Sequence, residues 1–388
     1  MPNVLIVGDS VRSSELRHEV TVAIGDPFRY VELDGRRIAV VWSVEGDRIT
    51  AVDPTVEIVP VETFSYDDLL RDGVDFYEIA PTITVRVARS LGLRDAVVPA
   101  SFPLRHADAL RADGVELTVD QRHFDDRRRR KTPPQLEGIR IASRAAEAGM
   151  AAIAALLANS EPSDEGRVAD GEPLTSERLR AAAIDVFAAH GCSGDDLIAA
   201  HGPQAADGHD HGSGRLANDD HVVCDLFPRH VDSGCFSDMT RTFTVGTPDP
   251  TIVEWHALCM EALELSREML SPGVDGAAVH RAVSSFFEER GQPTALSVPE
   301  GTVPRDGFYH GLGHGVGLDV HESPNLGRAG GHELVAGDVV TLEPGLYRHR
   351  FGGVRVEDLL LVTETGCETI TDFPYGLDPA LALDTAAR

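Results

Sequence analysis

Apolar and polar positions along this chain change period several times, and each change predicts a different element. VLIV (4–7) and IAVVWSV (38–44) are short unbroken apolar runs bounded by glycine, aspartate or paired arginines, the pattern of buried strands. ITAVDPTVEIVPV (49–61) alternates and then turns at its prolines. SYDDLLRDG (65–73) and PTITVRVARSLGL (81–93) carry helical periodicity, and glycine closes each. This half predicts an α/β domain over residues 1–131. It collects no catalytic residue types, so its expected role is to shape a neighbouring site or an oligomer contact.

The second half has a different rhythm. Thr132–Gln135 reads T-P-P-Q, a capping box with proline in the first turn, and predicts an alanine-rich amphipathic helix over about 134–158. SEPSDEGRVADGEP (160–173) reads as a loop. Thr175–His190 predicts a helix closed by Gly191. Further helices are expected near 250–270, ended by Ser-Pro-Gly, and near 275–290, ended by Gly291. Strand patterns follow each helix pair: HVVCDLF (221–227) and CFSDMTRTFTV (235–245), then DVVTLEPGLY (338–347) and GVRVEDLLLVT (353–363). Helix pairs alternate with strand pairs twice, which predicts an α+β domain of two similar halves over residues 132–388.

Between the halves lies DDRRRRKTPP (125–134). A basic run can mark nucleic-acid binding, but in so acidic a chain the reading is a solvated linker or a contact with an acidic surface. Asp and Glu total 63 against 35 Lys and Arg, for a net charge of −28, which repels nucleic acid and anionic membranes. Lys131 is the sole lysine, and acidity with so little lysine suggests adaptation to a salt-rich cytoplasm. Hydrophobic residues at 42% and charged residues at 25% match a soluble globular protein. No apolar run approaches the ~20 residues of a membrane helix, and MPNVLIVGDS lacks the basic region of a secretory signal. Five cysteines (192, 224, 235, 259, 367), odd in number and without CxxC spacing, predict reduced thiols and a cytoplasmic location.

Candidate chemistry sits in the second half. Asp225 lies inside the apolar run VVCDLF, where an unpaired carboxylate costs several kcal/mol. Asp238 stands in the next predicted strand, and a hairpin through PRHVDSG would lay the two aspartates side by side. The alternative for each alone is a buried aspartate satisfied by backbone groups or by Arg241. Glu343 in VVTLEPG and Glu357 in GVRVEDLLLV repeat the pattern. Between the pairs lies YHGLGHGVGLDVHE (309–322), which packs His310, His314 and His321 among glycines. Four strand carboxylates with a histidine cluster suit two divalent ions of the Mn, Co, Zn or Fe type and metal-assisted hydrolysis.

The motifs D-L-F-P…S-D-M-T-R-T-F, H-G-L-G-H-G-V-G-L-D-V-H-E, T-L-E-P-G-L-Y and G-G-V-R-V-E-D occur in the order found in the pita-bread metallopeptidases. Residues 132 to about 375 resemble that group, which contains methionine aminopeptidase, prolidase, aminopeptidase P and creatinase. The resemblance implies metal ligands Asp225, Asp238, His314, Glu343 and Glu357, with Asp238 and Glu357 bridging. It implies that Glu343 moves a proton to and from an attacking bridging water, and that His321 contacts the substrate carbonyl. It places His310 and His209 in the substrate pocket, with His211 the neighbour that could be mistaken for a second ligand. Arg355 would support the site or the substrate carboxylate. The segment LFPRHVDSGCFS departs from the family's short turn between the two aspartates, so an extended hairpin is expected.

The N-terminal domain and intact ligand set narrow the resemblance to the proline-specific members. The implied activity is hydrolysis of Xaa-Pro bonds by a cytosolic homodimer with two divalent ions, manganese foremost. The sequence leaves dipeptidase and aminopeptidase P specificity open. The alternatives are a creatinase-like C–N hydrolase of a small non-peptide substrate, and a non-catalytic binding protein on the same scaffold.

Overall fold

The computed structural model describes residues 2–299, 301–330 and 333–386. It divides into two compact units, residues 1–128 and 129–388. The N-terminal unit is built on a six-stranded mixed sheet, in the order Val56–Pro60, Arg36–Val41, Phe28–Leu33, Val4–Gly8, Asp95–Val98, Glu116–Val119. Leu5 and Val7 face one apolar cluster with Ile83 and Val87, whereas Val4 and Ile6 face another with Leu16 and Ile49. Both faces of the sheet are covered, which is why the inner strands Val4–Gly8 and Arg36–Val41 carry unbroken apolar runs.

Two expectations for this unit change. The strand expected over 38–44 ends at Val41, and Ser43–Val52 is a helix in which Val44 is exposed. The strand Phe28–Leu33, FRYVEL, was not foreseen because its polar residues hide the pattern: Arg29 is buried and Tyr30 bonds Glu19 and Glu32. The helix Phe76–Leu91 contains Pro81 and ends on Gly92 at φ 71°, a left-handed cap that suits glycine.

The basic segment is not a free linker. Asp125–Arg129 belongs to the helix Gln121–Arg129. Arg127 pairs with Glu19 and Glu32, Arg129 with Asp338, and Lys131 with Glu322. These three cations meet acidic residues of their own units, whereas Arg130 is exposed to solvent.

The second unit has the expected double layout. Helices Pro133–Ala158 and Ser176–Ala189 precede a sheet of Ile198–His201, Asp220–Leu226 and Met239–Val245. Helices Pro250–Met269 and Gly276–Glu289 precede a five-stranded sheet that includes His314–Gly315, Val339–Leu342 and Asp358–Val362. Thr132 caps the first helix through the predicted box with Gln135. That helix is long and apolar enough to cross a membrane by composition, but Ala142, Ala146, Met150 and Ile153 lie in a core against Leu179 and Phe187. The polar stretch 160–173 forms three short antiparallel strands instead of a loop, and the Asn218 side chain holds it by accepting from the Ser163 amide and donating to the Ser163 carbonyl.

The halves are joined by a seam of polar side chains. Thr242 Oγ1 donates to the Arg355 carbonyl at 2.9 Å, and the Glu357 amide donates to the Thr240 carbonyl at 3.0 Å. On the opposite face of the Met239–Val245 strand, fully buried Arg241 donates to Asp358, the Glu357 carbonyl and the Phe373 carbonyl. This seam brings the acid-bearing segments of both halves to one place.

Candidate metal centre

Asp225 sits near the end of the strand Asp220–Leu226, opposite Thr240 in the antiparallel ladder. The long connection through Pro228–Ser237 forms the expected extended hairpin without disturbing that register, because Arg229 braces it on the Gly234 carbonyl. The other three acids lie at strand ends and not within strands. Asp238 precedes Met239, Glu343 follows Leu342, and Glu357 lies between Gly352–Arg355 and Asp358–Val362. Their amides bond neighbouring segments instead of a strand ladder: Glu343 N–H donates to the Leu312 carbonyl at 2.8 Å and Glu357 N–H to Thr240. A carboxylate at a ladder end can turn into the space between strands.

His314 faces these acids. Its Nδ1 lies 3.1 Å from the Gly315 carbonyl and donates to it, which leaves the Nε2 lone pair available to a metal, 3.7 Å from both Asp238 Oδ2 and Glu343 Oε1. Its backbone N–H is held by Thr341 Oγ1. Ligand atoms of Asp238, His314 and Glu357 all lie within 4.8 Å of one another. Arg241, the alternative partner for the aspartates, points away to Asp358.

Burial, then the charges of Glu357 and Asp225, pushes the Asp238 carboxyl well above the usual carboxylate range. Burial, then Asp225 and Glu343, does the same to Glu357. Glu343 is pushed up to about 8 by burial, against the pull of Arg355. Burial and the neighbouring His321 pull His314 down to about 4. The cluster is therefore short of positive charge. Asp225 Oδ1 and Asp238 Oδ1 are buried with no hydrogen-bond partner among the described residues, a state that costs each group about 1–3 kcal/mol or more. Divalent cations would relieve both deficits, and hard oxygens with one imidazole suit them. The residues fit a metal centre.

These acids and His314 line a cavity of about 950 Å3 that also takes in His209, His310 and His321. The His321 ring lies 4.2 Å from that of His314. His310 Nε2 is 3.0 Å from the Tyr347 hydroxyl, and burial with the nearby Arg355 pulls its basicity down to about 3. His209 is exposed in the cavity wall and close enough to His310 and His321 to influence both. His211 instead turns its Nε2 to Asp196 at 3.1 Å. Arg355 is buried and donates to Asp225 Oδ2 at 2.6 Å, to Thr240 Oγ1 and to the Tyr347 hydroxyl.

Sequence reasoning missed Tyr347, Tyr309 and Thr240. Tyr347 links His310 to Arg355, and Tyr309 holds the Gly208 amide beside His209. Thr240 donates to Glu357 Oε2 at 2.7 Å. The alternating hydroxyls of T-R-T, beside an acid in an apolar run, were the available signal for Thr240. The glycines of 309–322 also act differently from expectation. A Cβ on Gly313 would lie 2.0 Å from the Thr341 carbonyl and one on Gly315 2.4 Å from that of Ser323. They let neighbouring backbones close together and so set His314 in place.

Residues 137–364 match the pattern of metallopeptidase family M24. The chain is 35% identical to the Xaa-Pro dipeptidase of Pyrococcus furiosus over 179 residues, which is 45% of this chain and 47% of that protein. It is 32% identical to the probable dipeptidase PepE of Mycobacterium tuberculosis over 182 residues, 47% of this chain and 45% of that protein. The chain thus spans about half the length of these relatives. Among solved structures, the prolidase of Pyrococcus horikoshii superposes with a TM-score of 0.74 at 22% identity, covering 97% of this chain and 95% of that one. The Xaa-Pro dipeptidase of Bacillus anthracis gives 0.77 at 21%, covering 97% and 94%. At such identities these likenesses establish the fold, which is the pita-bread fold with an α/β unit before it.

Proposed function

Because this chain belongs to metallopeptidase family M24, we propose that it is a hydrolase of Xaa-Pro peptide bonds that works with two divalent metal ions. The observation that carries the reading is the convergence of Asp238, His314 and Glu357 within 4.8 Å, with Asp225 and Glu343 beside them. Those five side chains would hold the ions. When bound, such ions polarise a carbonyl and make water a nucleophile near neutral pH.

The protein's own groups do the rest. Glu343 lies at the cavity between His314 and His310, its oxygens 3.7 and 3.8 Å from their nitrogens. There it takes a proton from the attacking water and returns one to the leaving amine. His321, exposed beside His314, donates to the substrate carbonyl oxygen as negative charge develops on it. His310 and His209 flank the peptide, with Tyr347 fixing the His310 ring. Arg355 has all three guanidinium nitrogens engaged, which supports a role in orienting Asp225 while it forms part of the substrate wall.

The carboxylate-rich donor set favours manganese, with Co, Zn or Fe as substitutes. Five free cysteines support a cytoplasmic setting, and the family resemblance supports a homodimer. The test is metal analysis followed by hydrolysis of Xaa-Pro dipeptides against Xaa-Pro-Yaa tripeptides with added manganese. Turnover of one class is expected and decides between dipeptidase and aminopeptidase P. A metal-loaded protein that cleaves neither sinks the peptidase reading.

A further inference from the structure

We propose that the N-terminal unit holds a second binding site, a cavity in which Arg29 receives the carboxylate of a small molecule with an apolar or aromatic body. The cavity encloses about 820 Å3, within the ~300–1,000 Å3 typical of small-molecule sites. Val40, Trp42, Tyr66, Ile79 and Ile83 form apolar walls, and Trp42 meets Tyr66 edge to face at 4.9 Å.

Arg29 is the group that makes this more than an apolar cleft. It lies on the strand Phe28–Leu33, lines the cavity and is only 5% exposed. Its Nε donates to Thr84 Oγ1 at 3.0 Å and its Nη2 to the Ala80 carbonyl at 2.7 Å. Among the described residues Nη1 has no partner, and no carboxylate lies within ion-pairing distance. Arg128, Arg241 and Arg355 are as deeply buried, and each faces a carboxylate. Burial pulls Arg29 down to about 10, with no acidic neighbour to offset it. A buried, uncompensated guanidinium is destabilising, and an anion in the cavity would remove that cost with a charge-assisted bond.

The other charged groups at the cavity specify the ligand's charge. Arg105 is already paired with Glu78 at 2.7 Å and lies over the Tyr77 ring. His106 shares the Thr84 hydroxyl with Arg29 at 2.8 Å, and burial and the Arg29 charge hold it neutral near pH 7. Asp26, exposed in the wall, repels extra negative charge. One available positive charge with an acid nearby suits a monocarboxylate better than a phosphate dianion. Phe76, Tyr77 and Leu104, at 72%, 68% and 70% exposure, supply further apolar surface for its body. None of these residues belongs to the metal centre, so the proposal stands independently of the peptidase reading.

The test is calorimetry on the metal-loaded full chain, with Trp42 fluorescence as a local reporter. The probes are 3-phenylpropanoate, N-acetylphenylalanine, 3-phenylpropan-1-ol and phenyl phosphate. Both carboxylates are expected to saturate, with the alcohol and the phosphate at least about tenfold weaker, since a charge-assisted bond separates them. Whichever carboxylate binds tighter supports the proposal and tells a peptide C-terminus from a free acid. Arg29→Met is expected to lose carboxylate binding by about tenfold or more and to melt no lower than the parent, because it removes an unpaired charge. Should that variant not fold, Arg29→Lys keeps the charge but not the fork, and carboxylate binding about threefold weaker is expected. Binding that survives Arg29→Met, parental affinity in Arg29→Lys, an alcohol as tight as the acid, or no saturation by either carboxylate overturns the proposal.

Discussion

Thr240 Oγ1 donates a 2.7 Å hydrogen bond to Glu357 Oε2, across 117 residues of chain and across the boundary between the two halves of the second unit. One half thereby orients a carboxylate of the other, and the strand register that places Thr240 opposite Asp225 ties the two acids to one scaffold. Replacing Thr240 with valine keeps the shape and removes the donor. Metal affinity is expected to fall about 10–100-fold, the usual cost of losing a group that orients a ligand. Metal titration of the purified variant checks this, and unchanged affinity would show that Glu357 is held by other means.

Glu343→Ala is expected to abolish turnover of any Xaa-Pro substrate, a loss of at least about 100-fold in kcat. Steady-state kinetics at saturating metal measure it. Near-normal activity would remove Glu343 from the proposed chemistry.

The buried pair Arg241–Asp358, at 3.0 Å with both side chains at 1% exposure or less, binds the halves together from the opposite face of the seam. Asp358→Ala leaves a buried guanidinium without its carboxylate and is expected to cost about 3–5 kcal/mol. Denaturant unfolding gives the value. A cost below about 1 kcal/mol would mean that the backbone carbonyls of Glu357 and Phe373 satisfy Arg241 alone.

His106 sets a pH dependence far from the metal centre. Burial and the Arg29 charge lower it from the usual 6.5 to about 4, so it stays neutral in the folded unit where the unfolded chain would be protonated. Its contribution is present above the unfolded pKa and is lost as pH falls from about 6.5 towards 4, because the unfolded state then binds the extra proton. At about 1.4 kcal/mol per unit, the loss is at most about 3.5 kcal/mol. Unfolding titrations of His106→Asn against the parent between those pH values are expected to show a shallower slope in the variant. Parallel slopes would refute the assignment.

The net charge of −28 predicts a response to salt. Screening of self-repulsion should raise the melting temperature between dilute buffer and molar KCl. Equal stability in both would end the reading of a salt-adapted surface.

The carboxylates and histidines of the centre were visible because an acid in an apolar run is costly unless it is used, and Asp225 and Glu357 both stand in such runs. Helix boundaries in the second unit were visible for a similar reason: Thr132, Gly191 and Gly291 are chemically suited to their caps. The strand Phe28–Leu33 was not visible, since Arg29 and Tyr30 are buried by partners distant in sequence.

By itself, the sequence determined the alternation of helix and strand pairs, the identity of the acidic and imidazole groups, and the family they resemble. These are local properties of period, capping and motif. The resemblance already set His314 apart from His310 and His321, but only the tertiary structure showed what each ring meets: His314 the carboxylates, His310 the Tyr347 hydroxyl, and His321 the His314 ring from an exposed position. It alone showed that Arg241 serves the seam instead of Asp225, and that Arg29 is buried without a counter-charge. Direction and partnership depend on which segments pack together, and those contacts lie more than 100 residues apart for Thr240 and Glu357.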